Sequence, residues 1–298
     1  MNKKYLLGIF AICVSAVLWG FDGVVLTPRL YNLNVGFVVF LLHAIPFLLM
    51  NLFLYKEYKN LKKFSKFDYF LLFLIALFGG ALGTLAIVKA LFLVQFNHLS
   101  VVVLLQKLQP IFAIVLASLL LKEKIKKNFA LWAVIAITAG YFLTFGFALP
   151  DFNTGANTVF AALWSVVAAF SFGSATVFGR KLLLKYNFKT ATFYRFGFTT
   201  VLMLVFVLIT GKMQFSTITL INWMIFLIIA VTTGCGAIFL YYFGLKRVKA
   251  SVATICELMF PVSAIVFDYF INHTIFSPVQ WLAAIVMVGS IVRISRLK

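Results

Sequence analysis

Long apolar runs, separated by short polar or basic clusters, recur along the whole chain. About 20 consecutive apolar residues suffice for a helix to cross the hydrocarbon core of a bilayer. The pattern predicts ten such spans, at about 5–27, 35–55, 69–94, 99–121, 129–148, 157–179, 190–210, 221–245, 250–271 and 278–294. Two of them are not uniformly apolar. Ala250 to Ile271 carries Glu257 and Pro261 in its interior, and Leu99 to Leu121 carries Gln106, Lys107 and Pro110. Proline has no N–H for the carbonyl four residues earlier, so Pro261 is expected to free the carbonyl of Glu257, and Pro110 that of Gln106. Both prolines therefore read as helix breaks, and each freed acceptor calls for a cavity or a partner.

The two interrupted spans are also copies of one another. Ser100 precedes Pro110 as Ser251 precedes Pro261, and Gln106 stands where the second copy has Glu257. Gly83 pairs with Gly234 and Ala86 with Ala237, always 151 residues apart. The chain thus divides into two units, residues 1–150 and 151–298, of five spans each. Five is odd, so the second unit enters the membrane from the opposite side. The expected fold is an all-α integral membrane protein of ten transmembrane helices built as two inverted five-helix repeats.

Composition agrees. With 64% hydrophobic residues, 11% charged residues and a mean hydropathy of +1.09, the chain cannot be a soluble globule. A formal charge of +19 would suggest nucleic acid as the partner of a soluble protein, but here the basic residues follow topology. With both termini on the cytoplasmic side, 21 of the 26 Lys and Arg residues fall in cytoplasmic segments and only Arg29 and Lys212 outside. That is the positive-inside distribution of a multi-pass protein of the cytoplasmic membrane. Lys3 and Lys4 precede an apolar run without a small-residue cleavage site, which reads as a retained first helix.

Every charge inside a span is costly and marks a candidate site. Asp22 follows Trp19 by three residues, so an anion and an aromatic ring share one helix face, suited to an amine or other cation. Lys89 and Lys107 lie far from the span ends, with Asp22 or Glu257 as expected partners. The candidate substrate-binding set is Trp19, Asp22, Lys89, Gln106, Lys107 and Glu257, with Arg195 as a gate or lipid-headgroup contact. Tyr241 and Tyr242 are expected to line a cavity or to form an aromatic belt. Gly79, Gly83, Gly234 and Gly236 suit close helix packing. Cys13, Cys235 and Cys256 have no metal or redox spacing, His43, His98 and His273 are scattered, and no phosphate-binding loop occurs, so no cofactor, metal or ATP drive is expected.

Several of these stretches resemble the drug/metabolite transporter superfamily in its ten-helix EamA-type branch. They are Trp19-Gly20, Arg195-Phe196, and the segment ALFLVQFNHLSVVVLLQKLQPIFAIVLASLLLKEK with its echo YYFGLKRVKASVATICELMFPVSAIVFDYFINHT. Two positions depart from the doubled pattern: His43 where an arginine like Arg195 would stand, and Thr274 where the first half has Glu123. The resemblance implies export or uptake of small metabolites, amino acids or related compounds, with export or exchange the expected mode. Joined to the charges of both signs within the spans, it leads to the expectation of a secondary transporter of polar or zwitterionic metabolites such as amino acids. Alternating access would be driven by a proton or a counter-substrate, with Glu257 as the coupling residue. A flippase of lipid-linked or polyprenyl phosphates and a membrane transferase are the alternative readings, although no nucleophile, base or metal cluster supports the latter. Membrane lipids are the other expected partner.

Overall fold

The computed structural model describes residues 3–94, 102, 105–149 and 156–297, and no strand forms among them. Among the described residues, nine helices are long and apolar enough to cross a membrane: α1 (Lys3–Leu30), α2 (Val35–Lys63), α3 (Lys66–Leu93), α5 (Lys127–Phe145), α6 (Ala156–Leu183), α7 (Phe188–Ile209), α8 (Leu220–Leu245), α9 (Ala250–Ile271) and α10 (Pro278–Arg296). The shorter apolar helix α4 (Gln109–Leu120) lies between α3 and α5. These ten elements fall on the ten predicted spans. Most of the stretch before residue 105 in the fourth, with Ser100 and His98, lies outside the described residues.

Helix starts follow local chemistry. Ser65 with Asp68, Thr219 with Asn222 and Ser277 with Gln280 form reciprocal capping boxes, each satisfying backbone donors that a first helical turn leaves unpaired. Asn34 and Asn187 cap α2 and α7 in the same way.

The inverted repeat is visible in which helices touch. α1 packs on α8 and α3 on α6, so the first helix of each repeat meets the third of the other. α1 packs on α9 and α4 on α6, first against fourth in both directions. α2 meets α7 and α5 meets α10, like against like. His43 of α2 illustrates the last relation, its ring lying 5.5 Å from Phe196 beside Arg195 of α7, while its Nδ1 is 2.9 Å from the Val39 carbonyl. The repeats are thus interleaved, and each half buries its apolar faces largely against the other.

The turns separate onto two faces. On one, Lys185 and Tyr186 donate to Asp68, Thr190 donates to Glu57, and the backbone N–H groups of Ala250 and Ser251 donate to Glu123 at 2.8 and 3.1 Å. On the other, Asn32 and Asn222 are hydrogen-bonded, the Asn34 N–H donates to Gln214, and Gln280 reaches the carbonyls of Leu143 and Thr144. The first of these faces carries the lysine-rich turns and is called the basic face below.

Regular helix gives way inside several spans. π-helical turns occupy Asp22–Leu26 in α1, Ile75–Leu82 in α3 and Ala230–Gly234 in α8. α9 is interrupted between Cys256 and Met259. The carbonyl of Glu257 is not left open as the proline argument requires. The Phe260 N–H donates to it at 2.9 Å, because a tightened i to i+3 turn replaces the bond that Pro261 cannot make. In α4 the Ile111 N–H similarly donates to Leu108, at 2.9 Å. The small residues also divide. A side chain at Gly79 would lie 2.8 Å from Ala175, and one at Gly83 equally close to Phe172, so both permit the α3–α6 approach. Gly234 and Gly236 instead face carbonyls of Ile229 and Val231 in their own helix, where the π-turn bulges.

Candidate functional site

Residues from both repeats converge where the interrupted helices cross. Glu257, at the break in α9, receives Tyr241 of α8 through a 2.7 Å hydrogen bond to Oε1, and Gln109 of α4 donates to its Oε2. Thr176 of α6 stands 2.7 Å from the Tyr241 hydroxyl and 3.4 Å from Glu257. The carboxylate therefore sits among three side-chain donors on three helices, with no cation bonded to it among the described residues. An intramembrane acid is tolerated when polar groups surround it, and this arrangement provides them.

An aromatic wall adjoins the acid. The Trp19 ring lies 5.4 Å from that of Tyr241, and its Nε1 donates to the Thr233 carbonyl at 3.1 Å. Thr233 is in the π-turn of α8, where the ladder is loosened and a carbonyl is free to accept from outside the helix. Tyr242 continues the wall 5.7 Å from Tyr241. Arg195 of α7 donates to the Tyr242 hydroxyl at 3.3 Å and to the Gly79 carbonyl at 2.6 Å, its guanidinium lying 5.7 Å from the Tyr242 ring centre. The Nε of Arg195 and the hydroxyls of Thr233 and Thr254 are buried without a partner among the described residues.

The predicted set is only partly brought together. Trp19, Glu257 and, through Tyr242, Arg195 belong to this cluster. Arg195 is buried at 8% exposure and holds α3 to α7, so it does not reach a lipid headgroup. Tyr241 and Tyr242 are buried too, which excludes an aromatic belt. Asp22 lies in the π-turn one helical turn beyond Trp19 and accepts from Thr27 at 3.1 Å; it forms no ion pair among the described residues. Lys107 is the clearest correction. It is buried, but its ammonium donates to the Gly140 carbonyl at 3.2 Å and to Thr144 at 2.6 Å, and so is tied to α5 rather than to Asp22 or Glu257. Lys89 is exposed on α3 and has no acidic partner among the described residues.

Gln106, expected to mirror Glu257, is half-buried, and the residue that reaches the acid is Gln109. The interruption of α4 falls at residues 107–108 and that of α9 at 257–258, a separation of 150, one less than the repeat. Gln106 therefore ends the helical segment before its break, whereas Glu257 sits within its own. Gln109, three residues on and next to Pro110, offered a signal through its spacing. Thr176 offered little, being one of several hydroxyl residues in α6. Pro110 and Pro261 are both buried just beyond the interruptions.

Ten helices in two interleaved inverted repeats, with an acid and aromatic rings at the crossing of their broken helices, define a small-molecule transporter of the membrane. The EamA-like transporter family matches residues 6–146 and 159–296, and the chain belongs to that family. A riboflavin transporter, ImpX, from Fusobacterium nucleatum subsp. nucleatum is 56% identical over 296 residues, 99% of each chain. An uncharacterized transporter of Archaeoglobus fulgidus is 24% identical over 138 residues, 44% of this chain and 48% of its own. A solved crystal structure superposes on 100% of this chain and 99% of its own with a TM-score of 0.69 at 14% identity, a likeness of fold.

Proposed function

We propose that the protein transports riboflavin across the cytoplasmic membrane by alternating access. The observation that carries this reading is the 56% identity to a riboflavin transporter over 99% of both chains. The site chemistry supports it. Riboflavin presents a flat, uncharged tricyclic ring with a hydrogen-bonding edge and a hydroxylated chain. Such a ring suits stacking against Trp19 and Tyr241, with Glu257, Gln109 and Thr176 to engage its polar edge. A zwitterionic amino acid would call for a cation and an anion facing one space, yet Lys107 is held by α5 and Lys89 is exposed. Flavin therefore replaces amino acids as the favoured substrate.

In this proposal each half, residues 1–150 and 151–298, supplies one wall of the site, both termini face the cytoplasm, and the basic face is the cytoplasmic one. Trp19, Tyr241, Gln109 and Glu257 contact the substrate, Asp22 and Thr233 flank it, and the interruptions by Pro110 and Pro261 let the halves rock. Glu257 couples movement to a proton or counter-substrate. The test is uptake of riboflavin into proteoliposomes of the purified protein, with amino acids as competitors. Saturable flavin uptake insensitive to amino acids is expected; uptake of amino acids without flavin would overturn the assignment.

A further inference from the structure

A second concave feature lies away from this site. A cavity of about 1230 Å³ opens on the basic face, where the start of α1, the α4–α5 turn with the start of α5, the α8–α9 turn and the end of α10 come together. Lys124, Lys127, Lys249 and Arg296 line it together with Lys4 and Lys126, which have contacts of their own, and no side-chain carboxylate lines it among the described residues. Arg247 adds a further guanidinium to the lining, held over the ring of Phe243 at 3.4 Å.

Loop charge that serves topology alone needs no such convergence, because orientation depends on the number of basic residues and not on their sharing a cavity. The acids described on this face already have partners: Asp68 takes Lys185, Glu57 takes Asn60 and Thr190, and Glu123 caps α9 through Ala250 and Ser251, the latter a lining residue of the cavity. The two helix starts at the cavity differ accordingly. α9 has an anion from the protein on its first amides, whereas α5 begins after Lys126 with no side-chain cap. Like charges lining a concave, low-dielectric wall focus their field and draw counter-anions into it.

We infer that this cavity binds a phosphate-bearing ligand, either the headgroup of an anionic phospholipid or a soluble organic phosphate. Multivalent phosphate oxygens match a ring of ammonium and guanidinium donors, and the amides at the start of α5 add to it. The walls come from both repeats, so an occupant bridges α1, α5, α9 and α10 and stabilises their arrangement.

The full-length purified protein is to be titrated by thermal shift with short-chain phosphatidylglycerol and with pyrophosphate, using phosphatidylcholine as the zwitterionic reference. Stabilisation by phosphatidylglycerol alone assigns a lipid headgroup, and stabilisation by pyrophosphate assigns a soluble phosphate. The triple variant Lys124→Gln, Lys127→Gln, Arg296→Gln should weaken that response by roughly tenfold or more in apparent affinity. Lys59→Gln, Lys62→Gln, Lys63→Gln, which removes equal charge from the same face outside the cavity, should leave it within about twofold. Lys124→Arg, Lys127→Arg keeps the charge and should keep the response. Absence of stabilisation by either probe, or equal weakening in the two triple variants, would overturn the inference.

Discussion

The side-chain amide of Gln109 in α4 donates to the carboxylate of Glu257 in α9, joining the two broken helices of opposite repeats at their interruptions. Any motion that separates the halves must part this pair or carry it along. Tyr241 and Thr176 hold the same carboxylate from α8 and α6, so the acid is the node of a four-helix network. A substrate with its own donors can replace these bonds one for one, which keeps the exchange of partners from stranding a buried charge.

Glu257→Gln tests the node. Glutamine preserves shape and removes the charge, so the variant should remain folded while riboflavin affinity, read from quenching of flavin fluorescence, falls by about tenfold or more. Uptake in proteoliposomes should lose its dependence on pH, or persist only as exchange. An unchanged affinity would confine Glu257 to a structural role.

Trp19→Ala should weaken flavin binding by roughly tenfold, in keeping with the loss of one stacked ring, whereas Trp19→Phe should retain most of the affinity. Equal losses in the two variants would point to the hydrogen bond from Trp19 to Thr233 rather than to the ring face.

The span pattern, the doubled sequence and the charge asymmetry made the fold legible, since each is a property of composition along the chain. Parts of the site were hidden for particular physical reasons. Gln109 replaced Gln106 because the two helix breaks fall one residue out of register with the repeat. Lys107 found a neutral partner set in Gly140 and Thr144 on the adjacent α5, a contact that charge pairing alone does not suggest. The freed carbonyl of Glu257 was satisfied within its own turn by Phe260. Trp19 was legible because Asp22 follows it by three residues on the same helix face, but its neighbour Tyr241 was indistinguishable in sequence from a belt residue.

Lys107 and Glu257 share no partner, so their contributions should be independent. In a double-mutant cycle with Lys107→Met and Glu257→Gln, unfolding free energies in sodium dodecyl sulfate should add to within about 0.5 kcal/mol. Rescue of Glu257→Gln by Lys107→Met would instead mean that the two charges face each other.

On the basic face, Asp68 accepts from Ser65, Lys185 and Tyr186, and it holds the Lys185 ammonium above the usual lysine range through their hydrogen bond. A raised lysine value contributes stability that is complete below the unfolded value, about 10.4, and is lost as pH rises through the folded one. Thermal stability should therefore show a step at alkaline pH, and Asp68→Asn should abolish that step. A step that persists in Asp68→Asn would assign it to another group.

Orientation is tested at the turns. A cysteine replacing Asn272, in the turn between α9 and α10, should react in intact cells with a membrane-impermeant maleimide, and one replacing Asn60 only after permeabilisation, provided Cys13, Cys235 and Cys256 are first replaced by Ala. The turn bearing Asn60 lies on the face where Glu57 meets Thr190, and Asn272 lies beyond Asp268 at the far end of α9. Because α9 starts at the Glu123 cap on the basic face and runs to Ile271, these positions must label from opposite sides whichever way the protein inserts. Which of them labels first decides whether the lysine-rich turns, and with them the basic cavity, face the cytoplasm. Labelling of Asn60→Cys in intact cells, with Asn272→Cys protected, would invert the orientation; labelling of both from one side would break the ten-span arrangement itself.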